Sequence, residues 1–131
     1  MKTHKTILML SAGMLILALI AAGCQSSKKT EGPPGGDYSK SGGLLTLEQG
    51  RYEDRDFEKG TYSIDGDKIT FTAETMSDDA KDYCGNSNVY TYQWSFDADA
   101  GLLTFKNVDD PCSSRRDGKT LGRWSYSKPS N

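Results

Sequence analysis

Histidine is almost missing from this chain: the single one is His4. Beyond the fourth residue the usual general base and the commonest metal ligand are therefore absent. A basic block is missing too. Sixteen Lys and Arg stand against 18 Asp and Glu, for a net charge of −2, and no cluster could track a phosphate backbone, so nucleic acid is not an expected partner. Cysteine is sparse, at positions 24, 84 and 112 with no CxxC spacing, which leaves no soft-metal motif. No Ser lies in a base-paired motif, and the paired acids cluster in turns with no evident long cleft. No catalytic residue, cofactor or metal is assigned, and the chain is not expected to be an enzyme.

What is present begins with an apolar run from Ile7 to Ala22, behind the basic Lys2 and Lys5. Its ~16 residues fall short of the ~20 that span a bilayer as a helix, and small residues follow it as at a cleavage site. Ile20-Ala21-Ala22-Gly23-Cys24 resembles the lipobox of bacterial lipoproteins. That resemblance implies that residues 1–23 are a removed signal peptide and that Cys24 carries a diacylglycerol. It places the protein in the bacterial cell envelope, lipid-anchored on the extracytoplasmic side of a membrane. Removing Lys2 and Lys5 lowers the 16 basic residues to 14, against 18 acids, for about −4. With Cys24 lipidated, Cys84 and Cys112 form an even pair in an exported protein and are expected to be bonded. Two free thiols, or a soft-metal pair with no histidine partner, are the alternative.

Residues 24–43 are rich in Gly, Ser, Pro and charge, and read as a flexible tether after Cys24. From Leu44 the period becomes two, and the β domain is expected over 44–128. Leu45 and Leu47 share a face of a first strand, and Gln49-Gly50 turns into a second at Arg51-Tyr52. Gly60–Ile64 and Lys68–Ala73 flank Asp65-Gly66-Asp67, the strongest hairpin signal in the chain. Ser77 is a candidate N-cap for one short helical turn through Tyr83. Val89–Asp97 carries Tyr90, Tyr92, Trp94 and Phe96 on one face. Leu102–Val108 and a last strand from about Thr120 to Ser127 complete an antiparallel meander with short turns. Closing that sheet into a small up-and-down barrel would remove its edges.

The order of these pieces carries a second resemblance. Gly-Thr-Tyr, Asp-Gly-Asp, Ile-Thr-Phe, a lone Cys, Tyr-x-Trp-Ser-Phe, Leu-Thr-Phe, Asp-Pro-Cys-x-x-Arg and a closing Trp resemble the small lipocalin-like (calycin-type) domains of bacterial lipoproteins. The resemblance implies an all-β barrel, a disulfide pinning loops near one end, and a small apolar cavity. Tyr62, Phe71, Tyr90, Tyr92, Trp94, Phe105 and Trp124 are candidate lining residues. In a domain this small the same side chains are needed to fill the core. Arg115 and Arg116 either brace the disulfide loop against Asp109 or Asp110, or turn a guanidinium to an anionic ligand head group. The acid pairs 65/67, 97/99 and 109/110 lack the twelve-residue calcium loop, and the first two stand where turns favour Asp.

The functional expectation is non-catalytic binding by a monomer anchored through Cys24. The ligand is a small apolar or amphiphilic molecule or an envelope component. The alternative is a protein–protein module, such as an inhibitor of an envelope-attacking enzyme, working through loops 74–88 and 109–118.

Overall fold

The structure, a computed structural model, describes residues 32–128. Cys24, the expected signal peptide 1–23 and the first part of the expected tether lie outside the described residues. Eight antiparallel strands follow one another around a closed barrel: β1 (Gly36–Lys40), β2 (Gly43–Glu48), β3 (Arg51–Asp54), β4 (Glu58–Asp65), β5 (Lys68–Met76), β6 (Val89–Asp97), β7 (Leu102–Asp109) and β8 (Trp124–Ser127). Helix α1 (Asp78–Cys84) joins β5 to β6, and α2 (Ser113–Thr120) joins β7 to β8. The expected all-β, up-and-down barrel is the fold.

Alternation decides which side chains go inside. Leu45 and Leu47 on β2, Ile69, Phe71 and Ala73 on β5, Tyr90 and Tyr92 on β6, and Leu103 and Phe105 on β7 are all buried, as a period of two requires. The β4–β5 hairpin pairs Asp65 with Lys68, and Gly66 supplies a φ of +59° at its turn. Register slips between Lys59 and Gly60. A Cβ on Gly60 would lie 2.0 Å from the Thr72 carbonyl oxygen, so this bend admits only glycine.

Two expectations are corrected. The tether does not run to Gly43 and the β domain does not begin at Leu44: Gly36–Lys40 is a strand hydrogen-bonded to both β2 and β8, with Tyr38 opposite Leu45 and Tyr126. One large apolar residue among polar ones shows no alternation, and this strand exists because its two neighbours satisfy its backbone. Second, the expected single helical turn is joined by another helix, and Asp109–Gly118 is not simply a loop: α2 occupies 113–120, so the last strand starts at Trp124 instead of Thr120. The expected Ser77 cap is present: α1 runs to Cys84, with Ser77 accepting from the Ala80 N–H at 3.1 Å.

An even-stranded meander sorts its connections by end. The β1–β2 and β3–β4 turns share one end with both helices. The chain enters β1 at the other end, with the remaining hairpin turns. There Gly32–Gly35 lies across Ile64, with its carbonyls accepting from the Tyr38 hydroxyl at Pro34 and from the Tyr126 hydroxyl at Gly35 (3.1 Å). Cys84 and Cys112 are joined in a disulfide with their Cα atoms 4.9 Å apart. It ties the end of α1 to the start of α2.

Candidate functional site at the helical end of the barrel

The barrel interior is filled. Phe71 stacks on Tyr90 with centroids 5.3 Å apart, and meets Tyr52 at 4.8 Å and Phe105 at 6.2 Å. Phe71, Tyr90, Tyr92, Phe105 and Trp124 are at most 3% exposed. As the lining of an interior ligand cavity these residues are corrected: they are the packed core. Tyr62 and Trp94, from the same set, are half-buried near the opposite end, packed against that core. The indole Nε1 of Trp94 is buried with no hydrogen-bond partner.

Above this core the helical end is closed by charge. Residues four apart on a helix share a face, and α2 turns Arg115 and Lys119 inward, with side chains 0% and 1% exposed. The Arg115 guanidinium grips Asp110 with two bonds, Nε to Oδ2 at 3.0 Å and Nη2 to Oδ1 at 2.9 Å. It also reaches Glu58 Oε2 at 3.2 Å and the Ser87 carbonyl at 2.8 Å, and lies 3.6 Å over the Tyr90 ring. Glu58 is the first inward position of β4 and accepts from the Tyr90 hydroxyl, which is 3.0 Å from that of Tyr52. Asp110 accepts from the Tyr92 hydroxyl and from the Cys112 N–H at 2.9 Å. Lys119 donates to Asp54 and stands 4.0 Å from Glu58. Its own carbonyl accepts from Trp124 Nε1 at 3.0 Å.

Burial alone would raise the Asp110 carboxyl, but the hydrogen bonds from Arg115, Tyr92 and Cys112 outweigh it and hold the group below the usual carboxylate range. Burial also works against the charge of Arg115, and is overcome by the bond to Asp110 and the nearness of Glu58. Burial first, then the adjacent carboxylates, push the Tyr52, Tyr90 and Tyr92 hydroxyls well above the usual tyrosine range. The cluster is thus an ionised core in which each charge has a partner.

Arg115 therefore takes the bracing role, with Asp110 rather than the exposed Asp109. Arg116 stays on the surface, donating to the Asp110 carbonyl at 3.3 Å and lying 4.0 Å from Asp117. Glu58, Lys119, Asp54 and Tyr52 belong to the cluster and have no functional assignment in the sequence reading. Asp97 serves its turn, Oδ1 accepting from the N–H groups of Asp99 and Ala100, and Asp67 accepts from Gln93 on β6. Among the described residues no group of three or more His, Cys, Asp or Glu is placed to hold a metal ion, and no helix is long and apolar enough to cross a membrane.

Outside the plug, a groove of about 680 Å³ runs between α2, the α2–β8 loop and the β1–β2 and β3–β4 turns. Trp124 and Phe57 are apolar members of its wall, Leu121 projects at its rim, 67% exposed, and Lys40, Arg55 and Arg123 supply cations. Backbone bonds fix the turns: Arg55 N–H donates to the Leu44 carbonyl at 2.9 Å and Ser77 N–H to that of Phe57 at 2.8 Å. The Lys40 ammonium lies 4.4 Å over the Trp124 ring and donates to the carbonyls of Gly118 and, at 2.7 Å, Leu121. Burial, then Lys119, lower its pKa, with Asp54 opposing them. Of the residues singled out as a pocket, Arg115 and Trp124 border this groove. No family model, curated protein or solved structure matches the chain.

Proposed function

We propose that this chain is a lipid-anchored envelope protein whose barrel is a rigid mount for a binding groove at its helical end, and that it acts by binding rather than catalysis. The observation that carries the reading is the combination of a filled interior with an outer groove of about 680 Å³, inside the usual ~300–1,000 Å³ range of small-molecule sites. An apolar wall of Trp124, Phe57 and Leu121 beside rim cations suits an amphiphilic ligand. The buried carboxylates are engaged by Arg115, Lys119 and tyrosine hydroxyls, an arrangement that braces a fold and offers no free base. The lipobox motif at Cys24 supports the anchor and the extracytoplasmic location. Chain direction supports the orientation, because β1 begins at the end opposite the groove.

Mass spectrometry of protein isolated from its host membranes tests the reading. The expected result is diacylglycerol on Cys24, residues 1–23 removed, and a co-purifying small molecule. A Cβ on Gly43 would stand 3.2 Å from Trp124 Cη2, so Gly43→Val narrows the groove and should release that molecule. An unlipidated chain carrying nothing would overturn the proposal.

A protein-docking role through segments 74–88 and 109–118 is favoured by one observation. Tyr83 on α1, with Val89 and Val108 just beyond those segments, are large apolar side chains about half or more exposed. Loss of a crosslinked partner on Tyr83→Ser, with the groove intact, would select it.

A further inference from the structure

We infer that the groove at the helical end selects anionic amphiphiles, with Arg55 and Arg123 gripping the acidic head group while the tail lies along Leu121, Phe57 and Trp124. The inference deepens the proposed binding role and rests on it.

The argument is one of charges left over. Four cations border the groove, and Arg115 is fully committed to Asp110 and Glu58. Lys40 is bonded to two backbone carbonyls and to no carboxylate. Arg55 and Arg123 are exposed and, among the described residues, form no ion pair. On the acidic side, Asp54 is held by Lys119 and Asp117 stands 4.0 Å from Arg116, which leaves Asp56. Three cations without a carboxylate therefore face one acid without a cation, in a chain whose overall charge is negative. The local excess opposes the global sign.

The type of cation also matters. Arg55 stands on the β3–β4 turn and Arg123 immediately before β8, and both border the groove, so the cations available to a head group there include two guanidinium forks. Such forks match the paired oxygens of a carboxylate or phosphate, whereas an ammonium acts as a point charge. Trp124 follows Arg123 and Leu121 precedes it by two residues, so apolar wall and cation come together. Shared chemistry is what is assigned: an acidic head on an apolar tail, be it carboxylate or phosphate ester.

The test uses the full chain in phosphatidylcholine vesicles, with Trp94→Phe so that Trp124 alone reports by fluorescence. Octanoate, octyl phosphate, octyl glucoside and octyltrimethylammonium are titrated in turn. The expected result is saturable binding of the two anions, with the neutral and cationic probes weaker by about tenfold or more. Arg55→Gln with Arg123→Gln should remove that preference while the circular dichroism spectrum and melting temperature stay unchanged. Arg51→Gln, at the opposite end of β3, should bind as the parent does. Preference for octanoate or for octyl phosphate distinguishes the two head groups. Equal binding of all four probes, or a double variant that keeps its anion preference, would overturn the inference and leave the groove reading standing. Failure of every probe to bind would sink both.

Discussion

Arg115→Met is the perturbation that asks most of this structure. Arg115 is the shared partner of two carboxylates, Glu58 and Asp110, and all three side chains are 0% exposed. Methionine keeps much of the apolar stem and removes the charge. Asp110 would retain the Tyr92 hydroxyl and the Cys112 N–H but no cation, and Glu58 the Tyr90 hydroxyl with Lys119, at 4.0 Å, as its one remaining cation. Leaving a buried charge without its partner costs about 3–5 kcal/mol, set against a total stability of about 5–15 kcal/mol for a domain. At ~4–8 °C per kcal/mol for this size, the melting temperature should fall by roughly 12–40 °C. The assay is denaturant unfolding followed by tryptophan fluorescence, at neutral pH and again near pH 3. In the parent, Asp110 has a depressed pKa, so its contribution is present above about pH 4 and is lost as pH falls through the folded value. In the variant the unpaired carboxylate resists ionisation, so acid relieves its penalty, and the gap between the two proteins should narrow. The combination Arg115→Met, Glu58→Gln, Asp110→Asn, which removes all three charges, should recover most of the loss, since Gln and Asn still accept from Tyr90 and Tyr92. A neutral-pH deficit under about 1 kcal/mol, or one unchanged at pH 3, would refute the ionised-plug argument.

Two further outcomes are expected. Replacing both Cys84 and Cys112 by Ala opens a crosslink with a sequence separation of 28 and should cost about 3.5 kcal/mol by the chain-entropy relation; a reductant should lower the parent's unfolding midpoint similarly and leave the variant's unchanged. Tyr38, Tyr52, Tyr90 and Tyr92 have hydroxyls raised by burial, so above about pH 10 the unfolded chain releases protons that the folded one keeps, and stability falls as pH rises. Each tyrosine adds up to about 1.4 kcal/mol per pH unit, and Tyr52→Phe with Tyr90→Phe should flatten the alkaline limb; an unchanged limb would remove these two hydroxyls from the account.

Most of the barrel was legible because it follows one rule. Ile69, Phe71 and Ala73, Tyr90 and Tyr92, and Leu103 and Phe105 are apolar at inward positions and polar between them. The hairpin at Gly66 and the Ser77 cap are local chemistry, readable without the rest of the fold. The candidate site was legible only in part, in Arg115 bracing the disulfide loop against Asp110; Glu58 and Lys119 were missed for the converse reason. Glu58 continues the inward parity of Gly60, Tyr62 and Ile64, and Arg115 and Lys119 stand four apart on one helical face. Both patterns are visible in the sequence once charge is allowed inside. A reading that sends every charge to solvent must instead place Glu58 in a turn and α2 in a loop. Tyr38 was hidden differently, because a strand with one apolar residue owes its existence to pairings that only barrel closure supplies.

The plug also decides where a ligand can bind. Reaching the interior from the helical end means withdrawing Arg115 and Lys119 from Asp110, Glu58 and Asp54. If that opening costs the ~3–5 kcal/mol of a broken buried pair, the open state is populated in roughly one molecule in 10²–10⁴, and affinity for an interior ligand falls by the same factor. The groove carries no such penalty, since its turns are already fixed by the Arg55–Leu44 and Ser77–Phe57 backbone bonds. At the far end Gly32–Gly35 accepts from Tyr38 and Tyr126 on the adjacent strands β1 and β8, and Gly32 packs on Ile64. A barrel filled by its core and plugged by ion pairs at its helical end is better suited to holding its outer surface still than to carrying cargo inside. With β1 starting opposite the helices, an anchor on Cys24 would leave that surface facing the aqueous compartment.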